Sequence, residues 1–121
     1  MAEIAPIFKP GEAFTRVTSG AVTGGQLLIV SGDDTVAASS AATAAWLGVA
    51  AHDAASGDPV LVLCGGVHEL AASGAIAAGA NVIPAASGAV ATIGAETNYA
   101  RVVGIALSAA ASSKVRVKLA R

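Results

Sequence analysis

An internal repeat is the feature that most restricts how this chain can fold. The segment GAVTGGQLLIV, which begins at Gly20, aligns with GAIAAGANVIP, which begins at Gly74, at an offset of 54 residues. Further along, LGVAAHDAASGDPVLVL (47–63) aligns with VGIALSAAASSKVRVKL (103–119) once a slip of one or two residues is allowed. Because glycine, valine and isoleucine positions match in order, the pattern indicates a duplicated supersecondary unit. The half-repeats cover about 20–66 and 74–121.

Short runs rich in valine, isoleucine and leucine recur along the chain, separated by clusters of small and polar residues. Runs of this length bounded by turn residues are typical of β-strands. Eight strands are predicted, at 26–31, 46–50, 59–64, 66–70, 81–84, 89–93, 101–107 and 114–119. Since each half can bury its apolar face against the other, we expect an all-β fold, a small pseudo-two-fold β-barrel or sandwich built from two pseudo-repeated halves.

Residues 1–19 lie outside this repeat and are predicted to form an extended N-terminal arm, with 20–121 as a single β domain. Pro6 and Pro10 cannot donate to a β-ladder and favour extended neighbours, so we predict an arm or edge segment rather than a central strand. Its apolar side chains need a surface to bury against, and they include Ile4, Ile7, Phe8 and Phe14. Two interpretations stay open: the arm packs on its own barrel, or it docks on another chain.

The composition favours association with other chains. Hydrophobic residues make up 55% of the sequence but aromatic residues only 3%, and much of the remainder is alanine, which buries little area. A core with so few large side chains gains less from burial than the size of the chain suggests, so we expect oligomerisation. The single cysteine excludes an internal disulfide framework, and no secretory signal is recognisable, so we expect synthesis in the cytoplasm and use after it.

Charge is distributed unevenly along the chain. The formal net charge of −1 argues against a general nucleic-acid binder. From Arg101 onward, however, there are five basic residues and no acidic one. Lys114, Arg116 and Lys118 alternate with apolar residues, which places three positive side chains on one face of a strand. Three interpretations are open: a solvated face that discourages edge-to-edge pairing, a surface that docks on an acidic protein, or a nucleic-acid contact, which would normally add stacking aromatic residues.

The residue types of hydrolases and metal sites are concentrated in residues 48–66, yet their pattern does not predict an active site. No Gly-x-Ser-x-Gly motif marks a nucleophile. His52 and Asp53 are adjacent, so in an extended strand they point to opposite faces and are better explained as a polar turn. The spacing of His52, Cys64 and His68 matches no standard zinc site. We therefore predict no enzyme activity, no metal and no cofactor.

Four stretches, taken in order, carry a family resemblance: FKPGEAFTRVTSGAVTGGQLLIVSG, LGVAAHDAASGDPVLVLCGGVHEL, SGAIAAGANVIPAASGAV and RVVGIALSAAASSKVRVKL. They resemble the capsid cement, or head decoration, proteins of tailed bacteriophages. The resemblance implies a small β protein, typically trimeric, that binds the outside of the expanded icosahedral head and stabilises it. It implies a virion location after synthesis in the bacterial cytoplasm, with the major capsid protein and further copies as partners, and with no direct nucleic-acid or membrane contact.

The family supplies no residue-level motif, so candidate contact residues rest on composition and expected exposure. They are the arm residues Ile4, Ile7, Phe8, Pro10 and Phe14 and the basic residues Lys114, Arg116 and Lys118. Two other functions are weighed against cement activity. A biotinyl- or lipoyl-carrier or similar ligand-binding module would need a lysine at the turn between the halves, near Ala72, where none is found. A small enzyme would have to use His52 and Asp53.

Overall fold

The computed structural model describes residues 13–121, and the regular structure there is almost entirely β-strand. The strands are β1 (Phe14–Thr18), β2 (Leu27–Gly32), β3 (Thr35–Ala38), β4 (Trp46–Ala50), β5 (Pro59–Leu63), β6 (Val67–Ala71), β7 (Asn81–Pro84), β8 (Val90–Thr92), β9 (Gly104–Ala106) and β10 (Lys114–Leu119). Two short 3-10 helices, Ala86–Gly88 and Tyr99–Arg101, lie in loops. The prediction of an all-β fold is confirmed.

The strands form two consecutive five-stranded sheets. The first is a closed barrel in the order β1-β3-β2-β4-β5, in which β5 returns to pair antiparallel with β1. The second has the order β6-β10-β9-β7-β8. Every pairing in the barrel is antiparallel except that of β1 with β3, which is parallel and joins Val17 to Thr35 and Thr18 to Val36.

The second sheet repeats the barrel strand for strand. Read around the barrel in the direction β1-β5-β4-β2-β3, each strand has its counterpart five strands later in β6-β10-β9-β7-β8. The parallel pair of Thr18 with Val36 is matched by a single parallel bridge of Ala72 with Val90, 54 residues further along in both strands. The duplication predicted from sequence is therefore present in both topology and register, and this bridge connects the end of β6 to β8.

The repeat begins earlier than the sequence pattern predicts. Residues 14–18, which the sequence pattern predicts to be part of the arm, form β1, which pairs with a neighbour on each side and is the counterpart of β6. The correction follows from the position of the prolines, since Pro6 and Pro10 both precede β1 and leave its ladder intact. The two halves are thus 14–63 and 67–119. The rest of the predicted arm, 1–12, lies outside the described residues.

Each half encloses its own apolar interior. The barrel core consists of Val22, Leu28, Val36, Ala50, Val60 and Val62. Their counterparts in the second half are all buried too: Ile76, Val82, Val90, Ala106, Val115 and Val117. Each set faces the interior of its own half. The two halves therefore do not build one shared pseudo-two-fold barrel, in which each half would bury its apolar face against the other.

A further apolar layer joins the two halves. Leu27, Trp46 and Val49 lie on the outer face of β2 and β4, and they are 0%, 2% and 3% exposed. They belong to the same buried cluster as the interior of the second half. Because adjacent strand residues point to opposite faces, Leu28 and Gly48 point into the barrel while Leu27 and Val49 point out of it. The second half therefore covers one side of the barrel.

Polar contacts fix the position of the second half on the barrel. Ser39 Oγ donates to the carbonyl of Ala85 at 2.7 Å, and the N–H of Gly88 donates to the carbonyl of Ser39 at 2.9 Å. Gln26 Nε2 donates to the carbonyl of Ser87 at 3.1 Å. These contacts seat the turn between β7 and β8 against the outer side of the barrel.

The last residue of the chain adds a second point of attachment. The Arg121 guanidinium lies 4.1 Å from the centroid of the Trp46 ring, and its Nη2 donates to the carbonyl of Ala44 at 2.9 Å. A cation placed over an indole is attracted by the ring quadrupole. The C-terminus is therefore anchored on the barrel.

Two equivalent glycines allow the strands to close, and they yield a stability prediction. A Cβ at Gly48 would overlap the carbonyl oxygen of Leu63, and a Cβ at Gly104 would overlap that of Lys118. Gly48→Ala and Gly104→Ala should each lower the free energy of unfolding by about 1–3 kcal/mol, measured by urea denaturation, because the neighbouring backbone must move. Gly20→Ala is the control, since its Cβ meets no atom within 4 Å. Equal midpoints for all three variants would contradict this packing.

Candidate partner-binding surfaces

The basic ladder, defined as Lys114, Arg116 and Lys118, occupies the solvent face of β10. The strand alternates without exception between these exposed residues and buried Val115, Val117 and Leu119. The alternation predicted from sequence is therefore confirmed. Within residues 13–121 the ion pairs are Arg16 with Asp34 and Arg101 with Glu96, so no ladder residue is neutralised by one.

The ladder does not protect a sheet edge. β10 pairs with β6 on one side and with β9 on the other, so its backbone groups are already hydrogen-bonded. The interpretation in which these charges discourage edge-to-edge pairing is therefore wrong, because it needs an unpaired strand. The corresponding positions on β5 are Pro59, Leu61 and Leu63. The positive face is a property of the second half alone.

A shallow groove of about 230 Å³ runs beside the ladder. Its lining includes Lys114 and Arg116 together with Glu69 and Ser108. In the antiparallel register Arg116 lies directly opposite Glu69 on β6. The groove thus offers two cations and one carboxylate on a solvent-facing sheet, an arrangement that suits an acidic or mixed-charge protein surface.

Phe14 is the one arm candidate that the structure describes. It lies in β1 opposite Val62, is half-buried and packs against the barrel core. The Arg16 guanidinium lies 5.6 Å from the centroid of its ring. Phe14 thus helps to build the barrel. Ile4, Ile7, Phe8 and Pro10 lie outside the described residues, so their role as contact residues remains a prediction.

His52 has a structural role in the turn between β4 and β5. The N–H of Leu61 donates to His52 Nε2 at 3.2 Å, and Nδ1 lies 2.9 Å from the carbonyl of Asp53. This pattern assigns the proton to Nδ1, which donates to that carbonyl while Nε2 accepts. In the second half Ser108 Oγ accepts from the N–H of Arg116, the counterpart of Leu61, at 3.4 Å. Histidine and serine thus perform the same backbone task in the two repeats.

The other candidates for chemistry are also occupied locally. Asp53 Oδ1 accepts from the N–H of Gly24 at 2.8 Å, so its carboxylate does not orient the imidazole of His52. His68 Nε2 lies 2.7 Å from the carbonyl of Gly65. Burial raises the pKa of the Cys64 thiol, which reduces its reactivity as a nucleophile. In residues 13–121 no three His, Cys, Asp or Glu side chains are grouped to hold a metal ion.

The loop before β9 presents an aromatic side chain to solvent. Tyr99 is 72% exposed. Glu96 braces this loop, accepting from the N–H of Asn98 at 2.9 Å and pairing with Arg101 at 3.0 Å. The Asn98 N–H and then the Arg101 guanidinium lower the pKa of Glu96. The sequence does not predict that Tyr99 is exposed, because a single aromatic residue between small residues belongs to no alternating pattern of apolar and polar positions.

Comparison with known proteins decides the family. A family model described as phage cement protein matches residues 8–121. The chain belongs to the phage cement protein family. Among curated proteins, none matches this cement protein. Its fold is similar to that of the head fiber gp8.5 N base of bacteriophage phi29, with a TM-score of 0.65 and 22% identity over 90% of this chain and 93% of that one.

Family membership confirms the resemblance drawn from the sequence and supports a structural, capsid-associated role in the virion. It favours a non-enzymatic function. None of the helices within residues 13–121 has the length and apolar character needed to span a bilayer. The carrier alternative also lacks its attachment point, because the link between the halves, residues 64–66, contains no lysine.

The turn role of His52 predicts a specific pattern of substitutions in this cement protein. His52→Ala should lower the free energy of unfolding by about 1 kcal/mol, because the N–H of Leu61 loses its acceptor. His52→Ser should retain most of that energy, since serine accepts the equivalent bond at Ser108. Urea denaturation of both variants is the measurement, with capsid binding as a second readout. A loss of capsid binding in stably folded His52→Ser would contradict a purely structural role.

Proposed function

We propose that this cement protein binds the outer surface of the expanded phage capsid through the major capsid protein, and that it stabilises the shell as a homotrimer. The basic ladder carries the proposal. It is a row of three exposed cations, none of them in an ion pair within residues 13–121, on a rigid, fully paired strand beside a groove. Such a surface suits contact with another protein, and the partner surface it fits is acidic.

A rigid sheet favours this use. The buried side chains of β10 fix the backbone that presents the charges, so little conformational freedom of the main chain is lost on binding. A binding mode dominated by exposed charge gains mainly in association rate and is sensitive to salt. Decoration of heads should therefore become slower as the ionic strength rises.

The ladder is tested by charge reversal. The variant Lys114→Glu/Arg116→Glu/Lys118→Glu should bind undecorated expanded heads at least about tenfold more weakly, because each cation meets an acidic surface. Co-sedimentation of purified protein with heads of its own phage measures the affinity, and resistance of the heads to heat measures stabilisation. The matched control is Lys114→Arg/Arg116→Lys/Lys118→Arg, which keeps the charge. Undiminished binding by the reversed variant would remove the ladder from the interface.

The arm is proposed as a second contact, in which Ile4, Ile7, Phe8 and Pro10 pack on the capsid protein or on a neighbouring cement subunit. Deletion of residues 1–12 should leave folding intact, because the repeat unit starts at Phe14. Binding to heads should fall at least about tenfold, since burial of even one large apolar side chain contributes about 1.5–3 kcal/mol. Deletion of residues 1–3, which spares all four side chains, is the control. Full head binding by the longer deletion would rule out the arm as a contact.

A further inference from the structure

The contact between the two halves is one-sided. The barrel contributes its side, the outer face of β2 and β4, whereas the second half contributes its end, the β7–β8 turn and the C-terminus. If a two-fold axis related the two halves, their contact would also bury Asn81 and Ile105, the counterparts of Leu27 and Val49. Asn81 is exposed, and Ile105 is 41% exposed where Val49 is 3% exposed. The interface is thus heterologous, and each half keeps one of its two contact faces unused.

The unused face of the second half is its side, the outer face of β7 and β9. Ile83 and Ile105 lie there at the positions that Ile29 and Val49 hold on the barrel. Leu107 continues the row beyond Ile105 and is 52% exposed. An apolar row of this kind on a paired sheet is a surface typical of protein association.

The unused face of the barrel is its end, next to the β2–β3 turn. Val30 is 46% exposed there, whereas its counterpart in the second half, Pro84, is buried. Leu47 is half-buried, whereas its counterpart Val103 is 0% exposed. Val30 and Leu47 both line a surface pocket of about 230 Å³.

Cys64 belongs to the same end of the barrel. It is half-buried, and its Sγ lies 4.0 Å from the carbonyl of Leu47. Its counterpart, Leu119, is 4% exposed and lies two residues before Arg121, which stacks on Trp46. The positions that the contact within the chain buries on the second half are therefore left partly open on the barrel.

We propose that the side of the second half, centred on Ile105, binds the barrel end of a second copy of this chain, centred on Val30. The contact repeats between molecules the one that joins the halves within each molecule. The occupant is argued from the repeat. The two faces are the counterparts of the two sides of the contact within the chain, so they match in strand geometry, and Ile83 and Ile105 keep apolar side chains at the positions of Ile29 and Val49. The inference rests on the self-association in the proposed function, and its test measures the mass of the assembly rather than capsid binding.

The copies relate head to tail. Such a contact closes into a ring when the rotation allows it and otherwise extends into a filament. The polar pairs within the chain are not repeated, because Ala80 and Ile93 stand at the positions of Gln26 and Ser39. The contact between copies therefore relies on apolar burial.

Single charges on each face test the proposal. Ile105→Glu and Val30→Glu each place a carboxylate in the apolar contact, so each should convert the wild-type oligomer to monomer at concentrations where the wild type is fully assembled. Val17→Glu is the control, because Val17 is 47% exposed but lies on β1, outside both faces. Mass is measured by sedimentation velocity and light scattering, and folding by circular dichroism. A monomeric wild type, or variants with wild-type mass, would overturn the assignment.

Mixing the two monomeric variants separates a head-to-tail contact from any other. The Ile105→Glu chain keeps an intact barrel end and the Val30→Glu chain keeps an intact side, so the mixture should form one-to-one dimers and nothing larger. A mixture that stays monomeric would refute the pairing of these faces.

Alkylation of Cys64 gives a readout that needs no variant. The thiol should react severalfold more slowly in the assembled wild type than after dilution to monomer, because the barrel end is covered. Equal rates would argue against that face. Head binding by the monomeric variants is measured separately, so failure of capsid binding and failure of this contact remain distinguishable.

Discussion

The burial of Leu27, Trp46 and Val49 under the second half is the contact on which the rest of the structure depends. The barrel is closed without the second half, but its β2–β4 side would otherwise expose three large apolar side chains to water. Full burial of one such side chain contributes about 1.5–3 kcal/mol, so this contact makes the two sheets into one unit. Gly88, with φ at 71°, lies so close to Gln26 that a Cβ would overlap its side chain, so the approach of the turn requires glycine.

The same contact makes two similar halves different. A barrel side that is covered can consist of leucine, tryptophan and valine, whereas the equivalent side of the second half has an exposed asparagine at Asn81 and a partly exposed isoleucine at Ile105. The outward-facing positions of β5 and β10 also differ between the halves, because β5 has Pro59, Leu61 and Leu63 where β10 has the three cations of the ladder. Duplication supplied two copies of a stable sheet, and the outward-facing positions of each copy then differ according to what each copy contacts.

The all-β fold and the duplication could be predicted from the sequence, whereas the position of β1 and the contact between the halves could not, for physical reasons. The sequence matches Gly-Val-Ala at Gly48 with Gly-Ile-Ala at Gly104. Both glycines lie where a neighbouring backbone approaches too closely for a side chain, so the same residue is required in both halves and the repeat can be recognised from one sequence. The sequence predicts an arm at β1 because the two preceding prolines suggest an edge, and because the counterpart strand β6 has no similar side chains that would indicate a repeat. The heterologous contact could not be predicted, since it joins residues of unlike type whose proximity arises only from the fold.

The cluster of His52, Asp53 and Cys64 shows why residue types alone do not identify a catalytic site. His52 and Ser108 accept the same backbone hydrogen bond, so the position demands an acceptor, and imidazole supplies one as well as hydroxyl does. The backbone already occupies these side chains. Within the described residues, the groups that can still bind a partner are those on the exposed strand faces. A surface of individually weak charge contacts becomes effective when several copies are linked, because binding of one ladder raises the effective concentration of the next at the capsid. Lys118 lies directly opposite Ile105 in the antiparallel register of β10 and β9. Self-association through β9 and capsid binding through β10 would therefore use adjoining positions on one rigid sheet.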